Sequence, residues 1–179
     1  MEKTTHPIYK NYPEQPYISP DRDLEAWGKN PELFPYGFVE KKQMQRLPEG
    51  ILPGHIIMLW RIHFNNFTNK TFIPQYFEYR YGVDSEECIQ TLINLGYVEI
   101  CSAKDSLNLL NMNALKDILE KSNLDTKGKK GILLSRITDN ISEEELIKLF
   151  SLRKYKITSS GKEILNKYDN IIQKHGPKM

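Results

Sequence analysis

Residues 113–137 read NALKDILEKSNLDTKGKKGILLSRI, and the interpretation of the whole chain turns on this stretch. Leu115, Ile118 and Leu119 recur at the three- and four-residue spacing of one helical face. A polar run follows through Gly128, Lys129 and Lys130, after which Leu133, Leu134 and Ile137 restore the spacing. The pattern is helix, extended loop, helix. A glycine where a helix begins lets another backbone approach closely, and the first helical turn offers unpaired N–H groups at its positive dipole end. Thr126, Lys127, Gly128, Lys129 and Lys130 therefore form a candidate phosphate clamp. Taken alone, a Gly-Lys-Lys triplet also fits a helix start whose lysines sit in water.

The stretch resembles the SAP motif, a DNA-binding module. The resemblance is carried by Leu115-Lys116, the loop residue Leu124, the Gly128-Lys129-Lys130 opening of the second helix, and the closing Leu133-x-x-Arg136-Ile137. It implies DNA backbone contacts from Thr126, Lys127, Gly128, Lys129, Lys130 and Arg136, with Lys116 added from the first helix. Leu115, Leu119, Leu133 and Ile137 would be core. Characterised relatives of the motif are associated with A-T-rich DNA.

The charge distribution points the same way. Residues 1–101 hold 10 Lys/Arg against 13 Asp/Glu, whereas residues 102–179 hold 15 against 10, so the basic half contains the SAP-like stretch. With 39% hydrophobic residues the chain can bury a core, and no apolar run approaches membrane length. The beginning of the chain lacks the apolar segment of a signal peptide, which makes the cytoplasm the expected compartment. Cys88 and Cys101 make no disulfide framework and no zinc pair, and read as buried small hydrophobes. Asn66 and Asn69 begin glycosylation triplets that, without a secretory signal, read as polar loop residues.

Residues 1–50 contain seven of the ten prolines, interleaved with Tyr9, Tyr12, Tyr17, Trp27, Phe34, Tyr36 and Phe38. Proline at this density breaks regular elements, while so many aromatics argue for packing, so an irregular arm lying over the next domain is expected. One short helix is expected from Asp21 to Gly28. Pro53 suits a first helical position, with Ile56, Leu59 and Trp60 on one face of a helix ending near Asn65. A polar loop over 65–71, an aromatic helix over 74–81 and a Gly82-Val83-Asp84 turn follow. Asp84 or Ser85 then caps a helix over 85–95, with Glu87 placed to close a capping box from Asp84 and with Cys88, Ile89, Leu92 and Ile93 on one face.

Two short helices across a tight turn, followed by Tyr97-Val98-Glu99-Ile100, resemble a winged-helix domain entering its wing. Tyr155-x-Ile157-Thr158-x-x-Gly161 and its following helix resemble the ending of many bacterial winged-helix domains. The expected fold is mainly α with a small β wing, a winged-helix-like body with an inserted SAP-like helix–extended loop–helix unit. Strand 97–100 would pair with strand 154–158, and a single helix over 159–173 would pack back through Ile164, Leu165, Tyr168 and Ile172, ahead of a frayed tail. The divisions are an arm over 1–50, winged-helix-like helices and the first wing strand over 51–101, the SAP-like unit over 107–138, and a completing segment over 139–179. Within that last segment, Ser142 and Glu145 frame a capping box whose acidic triplet fits a helix start.

The helix over 85–95 carries no basic residue, and Glu86 and Glu87 would face phosphate, so this helix reads as structural or partner-binding. Gln90, Thr91 and Asn94 are the residues that could reach bases. No phosphate-binding GxxxxGK, GxGxxG or GxSxG motif occurs, and His6, His55, His63 and His175 are scattered, so neither catalysis, metal nor cofactor is expected. The expected function is non-catalytic binding of duplex DNA, and the arrangement also looks like SAP-bearing proteins of bacteria and their prophages. Two alternatives compete with it. One is RNA, since the N-terminal domain of the Rho termination factor has a related helix-loop-helix shape. The other is a protein adaptor that uses the aromatic arm and the acidic helix, with a homodimer or partner held by the body.

Overall fold

The computed structural model describes residues 6–30, 37–64 and 66–176. Phe34, Tyr36, Asn65 and the end of the tail, which figured in the sequence reading, lie outside these. Among the described residues the protein is mainly helical, 55% helix in ten helices, with one small two-stranded antiparallel sheet. It divides into two compact units. The first comprises Met1–His63, Phe72–Val98 and Ile157–Met179, the second Phe64–Thr71 and Glu99–Lys156.

In the first unit the described residues of the Pro-rich segment are packed against the rest of the unit. Tyr9 and Trp27 are buried. The Tyr12 hydroxyl donates to the Val39 carbonyl at 2.7 Å, and the Tyr17 N–H to that of Gly82 at 2.7 Å. Arg22 is buried against Glu78 at 2.5 Å, its guanidinium 4.6 Å from the Tyr79 ring and 5.4 Å from Trp27. Helix α1 is Leu24–Lys29, capped by Asp23, so Asp21 precedes it and Gly28 lies inside it.

Helix α2, Pro53–Phe64, is buried almost all round from Pro53 to Leu59, not on the single face that the spacing suggests. A helix without a polar face sits inside its unit. Gly54 permits this, because a Cβ there would lie 2.9 Å from Val83 Cγ2. Helix α3, Tyr76–Tyr79, is a single turn, shorter than the aromatic spacing over 74–81 implies. The chain leaves it through Gly82, whose φ of +63° and contacts with Met44 and Pro16 leave no room for a side chain. Helix α4, Ser85–Asn94, begins where the Asp84 carboxylate accepts from the Glu87 N–H at 2.8 Å. It buries Cys88 and Leu92.

Strand β1, Val98–Ile100, pairs with β2, Tyr155–Ile157, in line with the expected strand pairing. The 66–71 segment, expected as a plain polar loop, pairs as well. Thr68 bridges to Lys154, the Tyr155 N–H donates to the Phe67 carbonyl, and Phe67 is buried. Helix α9, Ser159–Lys167, starts at Thr158, whose side chain accepts from the Gly161 N–H and donates to the Gly96 carbonyl. Gly161 is required there, since a Cβ would sit 2.3 Å from the Tyr97 carbonyl oxygen. The single helix expected over 159–173 is in fact two. Tyr168 leaves helical dihedrals at φ −112° and ψ 28°, and a second helix, α10, runs Asp169–His175, so Gln173 belongs to a helix and not to a frayed tail.

The second unit holds α5 (Ala103–Ser106), α6 (Met112–Lys121), α7 (Lys130–Asn140) and α8 (Glu143–Leu149) around one core. That core joins Ala103, Leu107, Leu115, Leu119, Leu133, Ile137 and Leu146. The sequence reading gave the helix after residue 139 to the body. Leu146 instead packs with the SAP-like leucines, so α8 belongs to their core.

Candidate nucleic-acid interface

Helix α6 begins at Asn111, whose side chain accepts from the Ala114 N–H at 2.9 Å. It ends in a Schellman arrangement. The Leu124 N–H donates to the Leu119 carbonyl at 2.8 Å, the Asn123 N–H to Glu120 at 3.0 Å, and Asn123 takes φ +54°. Asparagine tolerates that left-handed backbone better than most side chains. Leu124 then turns back onto the core, which gives the loop leucine of the sequence pattern a physical purpose.

The loop that follows is internally bonded. The Lys127 N–H donates to Asp125 Oδ1 at 3.1 Å, an Asx turn. Arg136 reaches back from α7, its Nη1 donating to the carbonyls of Asp125 and, at 3.0 Å, of Lys127, while Nη2 lies 3.5 Å from Asp125 Oδ2. The guanidinium thus braces the loop, whereas the SAP resemblance implies a phosphate contact for it. Lys130 is similarly engaged, donating from Nζ to the Asn108 carbonyl at 2.8 Å.

Lys127 and Lys129 are exposed, and among the described residues neither pairs with a carboxylate. Lys116 is exposed on α6, and Thr126 is half-buried beside the loop. Gly128 takes φ +133°, and a Cβ there would meet Ile132 Cγ2 at 3.0 Å. The structure adds two residues that the sequence reading passed over. Gly131, in the first turn of α7, has open space where a Cβ would stand, and Ile132 beside it is 52% exposed. The signal was present as the second glycine of Gly128-Lys129-Lys130-Gly131.

The start of α7 departs from its neighbours. Asp23, Asp84, Ser102, Asn111, Ser142 and Thr158 each cap a helix with a side-chain acceptor. At α5 the Glu143 carboxylate also accepts from the N–H groups of Ala103 and Lys104, so an anion already occupies that helix start. Helix α7 has Lys129 at its N-cap and no side-chain cap. A cation at the positive end of a helix dipole, in place of an acceptor, is a locally unfavourable choice that an external anion would reverse.

Helix α4 offers less to nucleic acid. Gln90 Nε2 donates to Asn94 Oδ1 at 3.0 Å and the Thr91 hydroxyl to the Glu87 carbonyl at 2.8 Å, so the three polar side chains bond within their own helix. The histidines are dispersed: His6 stands against Trp27, His55 is buried, His63 is exposed and His175 faces the Tyr81 hydroxyl. Burial pushes the thiol pKa of both cysteines up. Among the described residues no helix is long and apolar enough to cross a membrane. Comparison with protein-family models, curated proteins and solved structures finds no match to this chain.

Proposed function

We propose that the chain is a non-catalytic nucleic-acid-binding protein that grips the backbone of duplex DNA at the start of α7. One phosphate meets the first-turn amides over Gly131, where no side chain obstructs approach, and Lys127 and Lys129 neutralise it and its neighbour. Arg136 and Lys130 act as positioning residues, and Thr126 and Lys116 are peripheral contacts. The observation that carries the reading is Lys129 at the uncapped start of α7, whereas α5, α6 and α8 of the same unit each start with a side-chain acceptor. In this reading the first unit is a winged-helix-like body, with the SAP-like unit inserted between its wing strands, and it serves as scaffold or dimer surface in the cytoplasm of a bacterium or its prophage.

A phosphate clamp reads charge and not sequence, so the preference for A-T-rich duplexes rests on groove shape. The protein-adaptor alternative loses part of its basis, because Tyr9 and Trp27 of the aromatic segment are committed to their own unit. Competition between duplex DNA and duplex RNA of equal length tests the choice of ligand. Displacement by DNA at lower concentration supports the proposal, and displacement by RNA alone transfers the function to RNA.

A further inference from the structure

Within the first unit a cleft of about 430 Å³ opens between the 40–48 segment and α10. Four cationic side chains line it: Lys42, Arg46, Arg80 and Lys174. Two of them are neutralised, Lys42 by Glu40 and Arg46 by Glu14 at 2.6 Å. Among the described residues, neither Arg80 nor Lys174 has a carboxylate partner. Arg80 is nevertheless held in place, donating to the carbonyls of Lys174 at 3.3 Å and His175 at 3.4 Å at the end of α10. The Tyr81 hydroxyl and His175 Nδ1, 2.5 Å apart, tie the same helix to the segment after α3. Leu47 and Ile171 supply apolar wall.

The cleft has the volume of a small-molecule site, and its two uncompensated positive charges stand in a concave surface that strengthens their field. A phosphate monoester carries about −1.5 to −2 charge at neutral pH, which matches those two cations better than a single carboxylate does. We propose that this cleft binds a small organic phosphate, with the phosphate facing Lys174 and Arg80 and the organic body lying on Leu47 and Ile171. The proposal is independent of the DNA reading, since every residue in it belongs to the first unit and the lysine loop belongs to the second.

The test is calorimetric titration of the full chain with AMP, phenyl phosphate, adenosine and inorganic phosphate, all to millimolar concentration. AMP or phenyl phosphate should bind, and adenosine and inorganic phosphate should bind at least tenfold more weakly. Lys174→Ala should weaken the organic phosphate roughly tenfold, the value of one charge-assisted contact. Lys174 is an exposed residue near the end of α10 whose carbonyl survives the substitution, so the fold should persist, as circular dichroism would verify. A Lys127→Ala, Lys129→Ala double variant should bind the organic phosphate as the native chain does. Absence of binding by both organic phosphates, equal binding of inorganic phosphate, or indifference to Lys174→Ala would overturn the proposal. Loss of binding in the double variant would overturn it too, by moving the ligand to the loop.

Discussion

Arg136 on α7 donates to the carbonyl of Lys127 at 3.0 Å across the loop, so the residue that closes the SAP-like pattern holds the lysine that precedes its glycine. The exposed end of Lys127 is therefore carried on a backbone with little freedom to move. Rigid placement lowers the ordering cost of gripping a phosphate.

This relationship separates two roles for Arg136. As a positioning residue, Arg136→Ala should weaken DNA several-fold while leaving the slope of log affinity against log salt unchanged. As a phosphate contact, its loss should flatten that slope by about one. Faster amide exchange at Lys127 and Gly128 in the variant, measured without DNA, would accompany the positioning role and not the other.

Gly128 in the loop and Gly131 in the first turn of α7 should respond with opposite signs. Gly128→Ala places a side chain at φ +133° and 3.0 Å from Ile132, and should destabilise the second unit by about 1–3 kcal/mol. Gly131→Ala meets open space on a helix and should stabilise by about 0.5–1 kcal/mol, yet weaken DNA by crowding the amides of the first turn. Urea unfolding and DNA titration of both variants check this, and a stabilised Gly131→Ala with undiminished binding would remove the backbone approach from the account.

His55 sets a pH dependence in the first unit. Its Nδ1 accepts from the Leu52 N–H at 3.3 Å, and burial, reinforced by the charge of Arg46, lowers its pKa to about 4. The unfolded chain binds that proton near the ordinary histidine value of about 6.5. The contribution is thus fully present above about 6.5, is lost progressively as pH falls toward 4, and is constant below, on the order of 3 kcal/mol in all. The urea midpoint should fall over that window, and His55→Asn, which keeps an acceptor for Leu52 without titrating, should remove most of that fall.

The sequence made the helices of the second unit legible because Leu115, Ile118, Leu119, Leu133 and Ile137 bury one face each, which spacing reports directly. Thr158 and Gly161 were legible as a motif, and the structure supplies the reason in the Tyr97 carbonyl. Spacing failed where burial is not one-sided, as around α2, and where a partner distant in sequence decides the outcome, as when Lys154 recruits Thr68. For the candidate site, residue type identified the cations but not their engagements. That Arg136 and Lys130 bond carbonyls, while Lys127 and Lys129 face solvent, depends on how the loop folds back.

The measurement that bears most directly on the account is the salt dependence of duplex DNA binding, by fluorescence anisotropy, for the native chain and the Lys127→Ala, Lys129→Ala double variant. With two or three phosphates neutralised, the native chain should lose roughly 10- to 40-fold in affinity between 50 and 200 mM salt. The double variant should bind far more weakly, with a slope flatter by about two and an unchanged circular dichroism spectrum. Equal affinity and equal slope for both proteins, or no binding by the native chain at low salt, would contradict the account.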